Sequence, residues 1–218
     1  MLTETLTAAD NGTAAAPARP AHPHTITSGT GEELTFLRIA RVAGEERLEV
    51  ENCVQPNAGP PMHVHHLQEE ALTIKQGKVA YQVFGEPARY AETGETVKFP
   101  AGVAHRFWNA GTSELRCVGY IKPANNFEYI LSAVFDSMKA NNRKRPGLFD
   151  TAFLLTRYRS EVGMLDIPWA VQKFVFPVLM AIGGVFGFFA KFKDAPTPVT
   201  GVKAGKRSQR EEAANRME

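Results

Sequence analysis

The sequence predicts a mainly β fold, an antiparallel sandwich or barrel, followed by a C-terminal α-helical extension. Seven short apolar runs between residues 34 and 122 are separated by Gly, Pro or Asn, the pattern of many short strands joined by turns. After Pro123 the spacing of apolar residues changes to that of helices. With 218 residues, 44% of them hydrophobic, the chain can bury a core of its own.

The predicted strands lie close together along the chain. Turns are predicted at residues 93–95, around Gly94, and at residues 100–102, where proline and glycine force a tight turn. Many short strands at near-regular spacing indicate antiparallel pairing in a sandwich or barrel. The strands cover residues 34–39, 48–55, 71–75, 78–84, 97–99, 104–109 and 115–122.

Two amphipathic helices are predicted in the extension. Residues 127–139 carry apolar side chains at helical spacing, beginning with Phe127, Ile130 and Leu131, and such a stripe needs a surface to pack against. A second helix is predicted over residues 148–162, where Gly163 ends it.

Three histidines and one glutamate form the candidate site. On an extended strand His63 and His65 point to the same face, so the two rings can hold one ion between them. Glu70 has the opposite parity, and a turn at Leu67-Gln68 would bring its carboxylate back toward them. His105 follows the second predicted turn. Nitrogen and oxygen ligands of this kind suit a divalent transition metal.

The spacing of these residues resembles the two sequence motifs of the cupin superfamily. At the opening glycine of the first motif stands Asn57, the residue that tolerates positive φ next best after glycine. The first motif is matched by His63, His65, Glu70 and Gly77, and the second by Gly94, Pro100, Gly102, His105 and Asn109.

This resemblance implies a cupin double-stranded β-helix, that is, a jelly-roll barrel, with a divalent transition metal bound by the three histidines and Glu70. The metal would be iron, manganese, nickel, copper or zinc. Glu70 would also accept a proton from the substrate if its bond to the metal is labile. Leu72, Tyr81 and Phe107 are candidates to line a substrate pocket beside the metal, with an ordinary core role as the alternative.

Two functions stay open at this point. One is a quercetinase-like dioxygenase, or a related small-molecule oxidoreductase, as the resemblance implies. The other is a non-catalytic cupin that binds or senses a small ligand. The fold does not decide between them, because cupins host many chemistries. Metal identity, together with oxygen uptake that depends on substrate, would separate the two.

The remaining histidines and Glu69 are not expected to bind the metal. His22 and His24 lie in an Ala/Pro-rich stretch and are expected to be solvated tail residues. His66 faces away from the site by parity. Glu69 competes with Glu70 as the fourth ligand, but the six-residue gap to Gly77 favours Glu70.

Four segments are predicted from composition. Residues 26–123 carry 10 basic and 12 acidic side chains, whereas residues 124–218 carry 14 basic and 9 acidic ones. No aromatic-interleaved basic patch accompanies that charge, so nucleic acid is not an expected partner. The segments are a disordered tail (1–24), the barrel (25–123), a helical extension (124–193) and a disordered basic tail (194–218).

The N-terminal residues and the cysteines favour a cytoplasmic protein. Glu4 and Asp10 lie in a stretch without the basic and apolar regions of a secretory signal, so no signal peptide is predicted. Cys53 and Cys117 lie in strand-like runs without metal-ligand spacing and are expected to be reduced core residues.

An uncharged apolar run over residues 174–190 is the second informative feature. As a straight helix it would span about 25 Å, slightly less than the hydrocarbon core of a bilayer. Trp169 and the flanking lysines suit a membrane interface, whereas Gly183-Gly184 invites a kink. Three alternatives stay open for residues 169–193: a transmembrane helix, an in-plane membrane anchor, or an arm that packs on the barrel or on a homodimer partner.

Overall fold

Two antiparallel β-sheets face each other around an apolar core in the computed structural model, which describes residues 20–142 and 144–200. Helices follow the strands, so the predicted mainly β fold with a helical extension is confirmed. Most of the two predicted disordered tails, residues 1–19 and 201–218, lies outside the described residues, as does Arg143.

The larger sheet has six strands in the order β1-β2-β3-β10-β5-β8. All of its pairings are antiparallel, as the short turns require. Its strands are β1 (His24–Thr27), β2 (Glu32–Val42), β3 (Glu45–Val54), β5 (Glu69–Gln76), β8 (Thr96–Phe99) and β10 (Leu115–Lys122).

The smaller sheet has five strands in the order β11-β4-β9-β6-β7. Its edge strand β11 comes from the extension, about 50 residues after the last barrel strand of this sheet, and sequence spacing did not predict it. The strands are β4 (His63–His65), β6 (Lys78–Val83), β7 (Arg89–Glu92), β9 (His105–Asn109) and β11 (Val162–Met164).

Two clusters of buried side chains hold the barrel together. One lies between the sheets around Ile74, Phe99 and Leu115, and Cys117 belongs to it. The other joins the larger sheet to the first helix through Phe36, Leu48, Ile121 and Phe135. Each side chain of this size contributes about 1.5–3 kcal/mol when it is fully buried. The extension is therefore part of the barrel's packing.

The turn at the start of the first motif has the backbone conformation that its residues allow. Asn57 has a φ of 64°, in the left-handed region, so asparagine replaces glycine there at low cost. Gly59 has a φ of 150°, and a Cβ at that position would lie 2.2 Å from the Phe107 carbonyl oxygen. The glycine therefore allows a close backbone approach to β9.

The helices are α1 (Phe127–Ala140), α2 (Leu148–Arg157) and α3 (Phe176–Val185). Helix α1 agrees with its prediction to within one residue. Helix α2 ends five residues before the predicted end at 162. The reason is tertiary: residues 162–164 pair with β4, so their backbone groups bond to the sheet instead of continuing a helix.

The apolar run does not form the transmembrane helix that was one of the three alternatives. It is divided into a π-helical turn (Val171–Val175), the ten-residue α3 and a 3-10 turn (Ala190–Phe192). The chain reverses at Gly187, where φ is 71°, and the Phe189 ring packs against Gly183. Across residues 20–142 and 144–200, none of the helices combines the length and the apolarity that crossing a membrane needs.

His22 and His24, expected in a solvated tail, instead contact a buried glutamate. Their rings lie 3.1 Å and 3.3 Å from the carboxylate oxygens of Glu128 at the start of α1. The beginning of the other predicted tail is also held, because Arg157 and Tyr158 donate hydrogen bonds to the Pro196 carbonyl oxygen. Both corrections depend on partners far away in the sequence.

Candidate metal centre and cavity

The candidate ligands come from both sheets. His63 and His65 lie on β4 of the smaller sheet, and His105 on β9 pairs directly with His63. Glu70 lies on β5 of the larger sheet, because the chain bends at residues 66–67 and crosses from one sheet to the other. All four side chains are buried. The predicted turn is present, and its crossing brings the carboxylate to face the three imidazoles.

Four donor atoms converge, and all lie within 4.8 Å of one another. His105 Nε2 lies 3.1 Å from Glu70 Oε2, and His65 Nε2 lies 3.4 Å from the same oxygen. The Nε2 atoms of His63 and His65 are 3.1 Å apart. Donor atoms bound to one ion at about 2.1 Å lie about 3 Å apart, so this buried cluster can bind a metal.

Hydrogen bonds from Nδ1 of His63 and His105 fix which nitrogen of each ring faces the centre. His63 Nδ1 and His105 Nδ1 lie 2.8 Å from the carbonyl oxygens of Pro61 and Val103, to which they donate as N–H groups. Each ring therefore turns Nε2, the nitrogen that would bind a metal, toward the centre. Phe99 stacks on the His105 ring, with centroids 3.8 Å apart and planes 4° from parallel, and holds its orientation.

The pKa values of His63 and Glu70 are shifted in the directions that favour binding of a cation. Burial, followed by the neighbouring His65 and His105, lowers the pKa of His63 to about 3, so this imidazole is neutral at pH 7. Burial raises the pKa of Glu70, but hydrogen bonds from His105 and His65 outweigh it and lower the pKa below its ordinary value. A neutral His63 imidazole and an ionised Glu70 carboxylate are the protonation states in which these two groups bind metals.

A cavity of about 290 Å³ opens beside the cluster. Leu72 and Phe107 lie in its wall, and their contact with a substrate stays a prediction. Tyr81 lies elsewhere, packed on the core cluster with its ring 6.0 Å from that of Phe99, so for this residue the core alternative describes the structure. Apolar atoms make up most of the wall, which suits an apolar ligand.

Helix α1 supplies a wall of this cavity that motif reasoning did not assign. Phe127, Leu131 and Val134 line it together with residues of the barrel, and the Phe127 ring lies 5.4 Å from that of His65. The amphipathic stripe of residues 127–139 showed that α1 needed a partner surface. Only the fold shows that this surface is the mouth of the barrel above the candidate metal centre.

Two polar residues of the cavity were also missed, Glu32 on β2 and Asn52 on β3. Leu48, Val50 and Val54 are buried, and Asn52 shares their parity. Strand alternation could therefore have found it. Burial raises the pKa of Glu32 to about 7, against a lowering hydrogen bond from Asn52 and with a further rise from the charge of Glu70.

A fully buried carboxylate, Glu161, fastens the extension to the barrel. Its oxygens accept hydrogen bonds from the Asn126 backbone and side-chain amides at 3.2 and 2.7 Å and from the Val199 amide at 2.9 Å. Its backbone carbonyl accepts from the amide of His66, beside the candidate ligands. The start of α1, the chain after α3 and the loop between β4 and β5 thus meet at one side chain.

The competing residues lie outside the cluster. Glu69 accepts a hydrogen bond of 2.5 Å from the Tyr120 hydroxyl. The His66 side chain is exposed, as its parity predicted. The choice of Glu70 over Glu69 therefore agrees with the geometry.

Comparison with known proteins agrees with the barrel and the motifs. Residues 50–119 match the family described as "Cupin domain". The probable oxidoreductase virH of Hypocrea virens is 33% identical over 52 residues, 24% of this chain and 24% of that protein. The oxidoreductase iacF of Pestalotiopsis fici is 28% identical over 79 residues, 35% of this chain and 39% of the relative. The matches thus span less than half of either relative.

Among solved structures, the chain is similar to an uncharacterized conserved protein with a double-stranded beta-helix domain from Klebsiella pneumoniae. The similarity covers 50% of this chain and 85% of that one, at 17% identity and a TM-score of 0.38.

Proposed function

The chain belongs to the cupin superfamily, and we propose that it is a metal-dependent oxidoreductase, a dioxygenase of the quercetinase-like kind, acting on a small and mostly apolar molecule. The observation that carries the proposal is the convergence of three imidazole nitrogens and one carboxylate oxygen at the wall of an apolar cavity. The oxidoreductase names of the two curated relatives support the same class of chemistry.

His63, His65, Glu70 and His105 would hold the ion. A redox-active divalent ion bound there would supply Lewis acidity toward a chelating oxygen and one-electron chemistry toward dioxygen. The two Nδ1–H groups that donate to backbone carbonyls keep the rings from rotating out of position. Four protein ligands would leave room in the shell of a six-coordinate ion such as iron or manganese for an oxygen of the substrate.

Glu70 would take the substrate proton. Its carboxylate is ionised at neutral pH, and it lies at the cavity wall within reach of a ligand that approaches the centre. Its contacts with His105 and His65 lower its pKa and make it a weak base, and in the loaded centre it would also bind the ion, so proton transfer would require a labile bond between Glu70 and the metal. Helix α1 over the cavity would exclude water from the step.

Metal analysis and oxygen uptake test this function. The full chain, purified without added ions, is expected to contain about one divalent metal, and iron, manganese, nickel or copper is to be supplied in turn. At least one ion should support oxygen consumption with flavonol-like or other enolisable chelating substrates, and Glu70→Ala should lose most of it. Zinc alone, without turnover on a broad substrate panel, would indicate the non-catalytic binding cupin instead.

The extension supports a second proposal, attachment to an anionic lipid surface. Eight large apolar side chains between residues 169 and 188 are exposed, and we name them the apolar face. Residues 169–193 contain three lysines and no acidic residue, and Lys173 lies over the Trp169 ring at 4.4 Å. Exposed Trp with flanking lysines suits the lipid headgroup layer. The apolar face consists of Trp169, Phe174, Val175, Val178, Ile182, Val185, Phe186 and Phe188.

Vesicle sedimentation tests the attachment. The full chain should sediment with vesicles of phosphatidylcholine and phosphatidylglycerol and much less with phosphatidylcholine alone. The double variant Val185→Ser, Phe186→Ser should stay in the supernatant, whereas Phe84→Ser, an exposed aromatic on the barrel, should behave like wild type. A stable dimer that the double variant dissolves, without vesicle binding by wild type, would assign the apolar face to a second copy.

A further inference from the structure

A second polar site lies in the cavity, away from the candidate metal ligands. Asn52 on β3 is only 3% exposed, and its Nδ2 donates a hydrogen bond of 3.0 Å to Glu32 Oε1. Its Oδ1 is buried and has no hydrogen-bond partner among the described residues. An unpaired buried carbonyl oxygen destabilises the fold, so its retention in a cavity wall calls for a ligand that satisfies it.

The position of this pair relative to the cluster is set by the larger sheet. Strand β10 separates β3 from β5, and Asn52 and Glu70 pair with Cys117 and Ile121 of that strand, so they lie two strands and four residues apart. These offsets correspond to about 10 Å across the strands and about 13 Å along them. Both residues line the same cavity, and the charge of Glu70 acts on Glu32. The wall between them is apolar and includes Leu72. A ligand that contacts both ends therefore needs an elongated apolar body.

Resting on the proposed function, we propose that Asn52 and Glu32 determine substrate specificity by binding a hydroxyl group at the end of the substrate remote from its metal-binding oxygen. The hydroxyl donates its proton to Asn52 Oδ1, the acceptor that the protein leaves unpaired, and lies beside the Glu32 carboxyl group. The substrate class is therefore an aromatic or alicyclic molecule with an enolic, chelating oxygen at one end and a hydroxyl at the other.

This substrate class follows from the hydrogen-bonding needs of the polar groups at the Asn52 end of the cavity. A wholly apolar ligand would leave Asn52 Oδ1 unpaired and bury it further, and the unpaired acceptor would lower the affinity for that ligand. A second carboxylate at this end would meet Glu32 and, across the cavity, Glu70, both acidic groups. A neutral donor satisfies the amide oxygen without either cost.

A matched pair of probes tests the assignment: a flavonol with a hydroxyl on the ring remote from its enolic oxygen, and the same flavonol without that hydroxyl. Affinities are to be measured by calorimetry on the full chain, both stripped of metal and loaded. Wild type should prefer the hydroxylated probe about tenfold in both forms, the equivalent of about 1.4 kcal/mol. Asn52→Leu, similar in size, should lose this preference and keep its metal content.

Control variants separate the outcomes. Thr35 lies on the face of β2 that points away from the cavity. The variant Thr35→Val should retain the tenfold preference, which would show that the effect of Asn52→Leu is not a general effect on the sheet. Glu32→Gln should keep a reduced preference if Asn52 is the main acceptor. Equal affinities for the two probes in wild type, or no binding of either, would overturn the inference. A hydroxyl preference without oxygen uptake would instead contradict the proposed oxidoreductase and leave this specificity site standing.

Discussion

Apolar side chains are buried in the barrel but largely exposed at the end of the helical extension. In the barrel, alternation along each strand sends residues such as Ile74, Phe99 and Leu115 into a shared interior. In the extension, the uncharged run packs only partly, through Phe176 and Phe189, and leaves the apolar face in solvent. The barrel is thus complete within the chain, whereas the apolar face needs a further surface to cover it.

The same contrast applies to polar groups. In the barrel, Asn52 lines the cavity, and its buried Oδ1 has no hydrogen-bond partner among the described residues. In the extension, the fully buried carboxylate of Glu161 is satisfied by the protein itself. An unpartnered polar atom in a cavity wall is therefore a position where a ligand is expected, whereas the bonds of Glu161 connect segments of the chain.

The largest expected effect is at the metal centre. His105→Ala removes a buried ligand from the middle of the cluster and should weaken binding of divalent metal at least about 100-fold, because loss of even an outer-shell partner costs 10–100-fold. The measurement is metal content after dialysis, together with calorimetric titration. His66→Ala, an exposed neighbour, is the control and should bind like wild type. Equal metal content in the two variants would contradict the ligand assignment.

The next prediction compares two phenylalanines. Phe135 of α1 is 4% exposed and belongs to the cluster that joins the helix to the barrel, whereas Phe186 of the apolar face is 69% exposed. Phe135→Ala should lower the free energy of unfolding by about 3–5 kcal/mol through lost burial and a cavity. Phe186→Ala should change it by no more than about 0.5 kcal/mol. Urea unfolding measures both, and similar losses would mean that the apolar face is packed in solution.

A smaller effect is expected at the fastening point of the extension. Glu161→Gln replaces one acceptor oxygen by an amide and should lower the free energy of unfolding by about 1.5–3 kcal/mol, because charge-assisted bonds to Asn126 and Val199 are lost. Hydrogen exchange should show faster opening at the start of α1. Glu86→Ala, which breaks an exposed ion pair with Arg89, serves as control and should cost under about 1 kcal/mol. An unchanged exchange pattern would argue against the fastening role.

The smallest predicted effect is a pH dependence in the metal-free cavity. Burial raises the pKa of Glu32 from the ordinary 4.5 to about 7, so the folded chain holds this proton more tightly than the unfolded chain does. The resulting stabilisation is complete below pH 4.5 and is lost as the pH rises through 7. Relative to Glu32→Gln, wild type should lose about 1–2 kcal/mol between pH 4.5 and 8, a figure reduced for the partial exposure of the group.

Paired urea titrations across this range measure that difference. Glu33→Gln, which removes an exposed carboxylate from the next position of the same strand, controls for the change in net charge. Parallel curves for wild type and Glu32→Gln would show that Glu32 is solvated rather than buried against the cavity wall.

The sequence by itself determined the features that depend on short spacing. The alternation of His63 and His65, the turn before Glu70, the tolerance of Asn57 for positive φ and the stripe of α1 all follow from the geometry of a strand, a turn or a helix. Each involves residues within a few positions of one another, and such local rules hold whatever the rest of the chain does.

Only the tertiary structure decided the features that join distant segments. Glu70 meets the imidazoles because β4 and β5 belong to opposite sheets, α1 closes the cavity, and residues 162–164 leave a predicted helix to pair with β4. His24 finds Glu128 across 104 residues. The physical reason is that pairing and burial between segments depend on which surfaces are left unpaired after the whole chain has packed, and no local period encodes that choice.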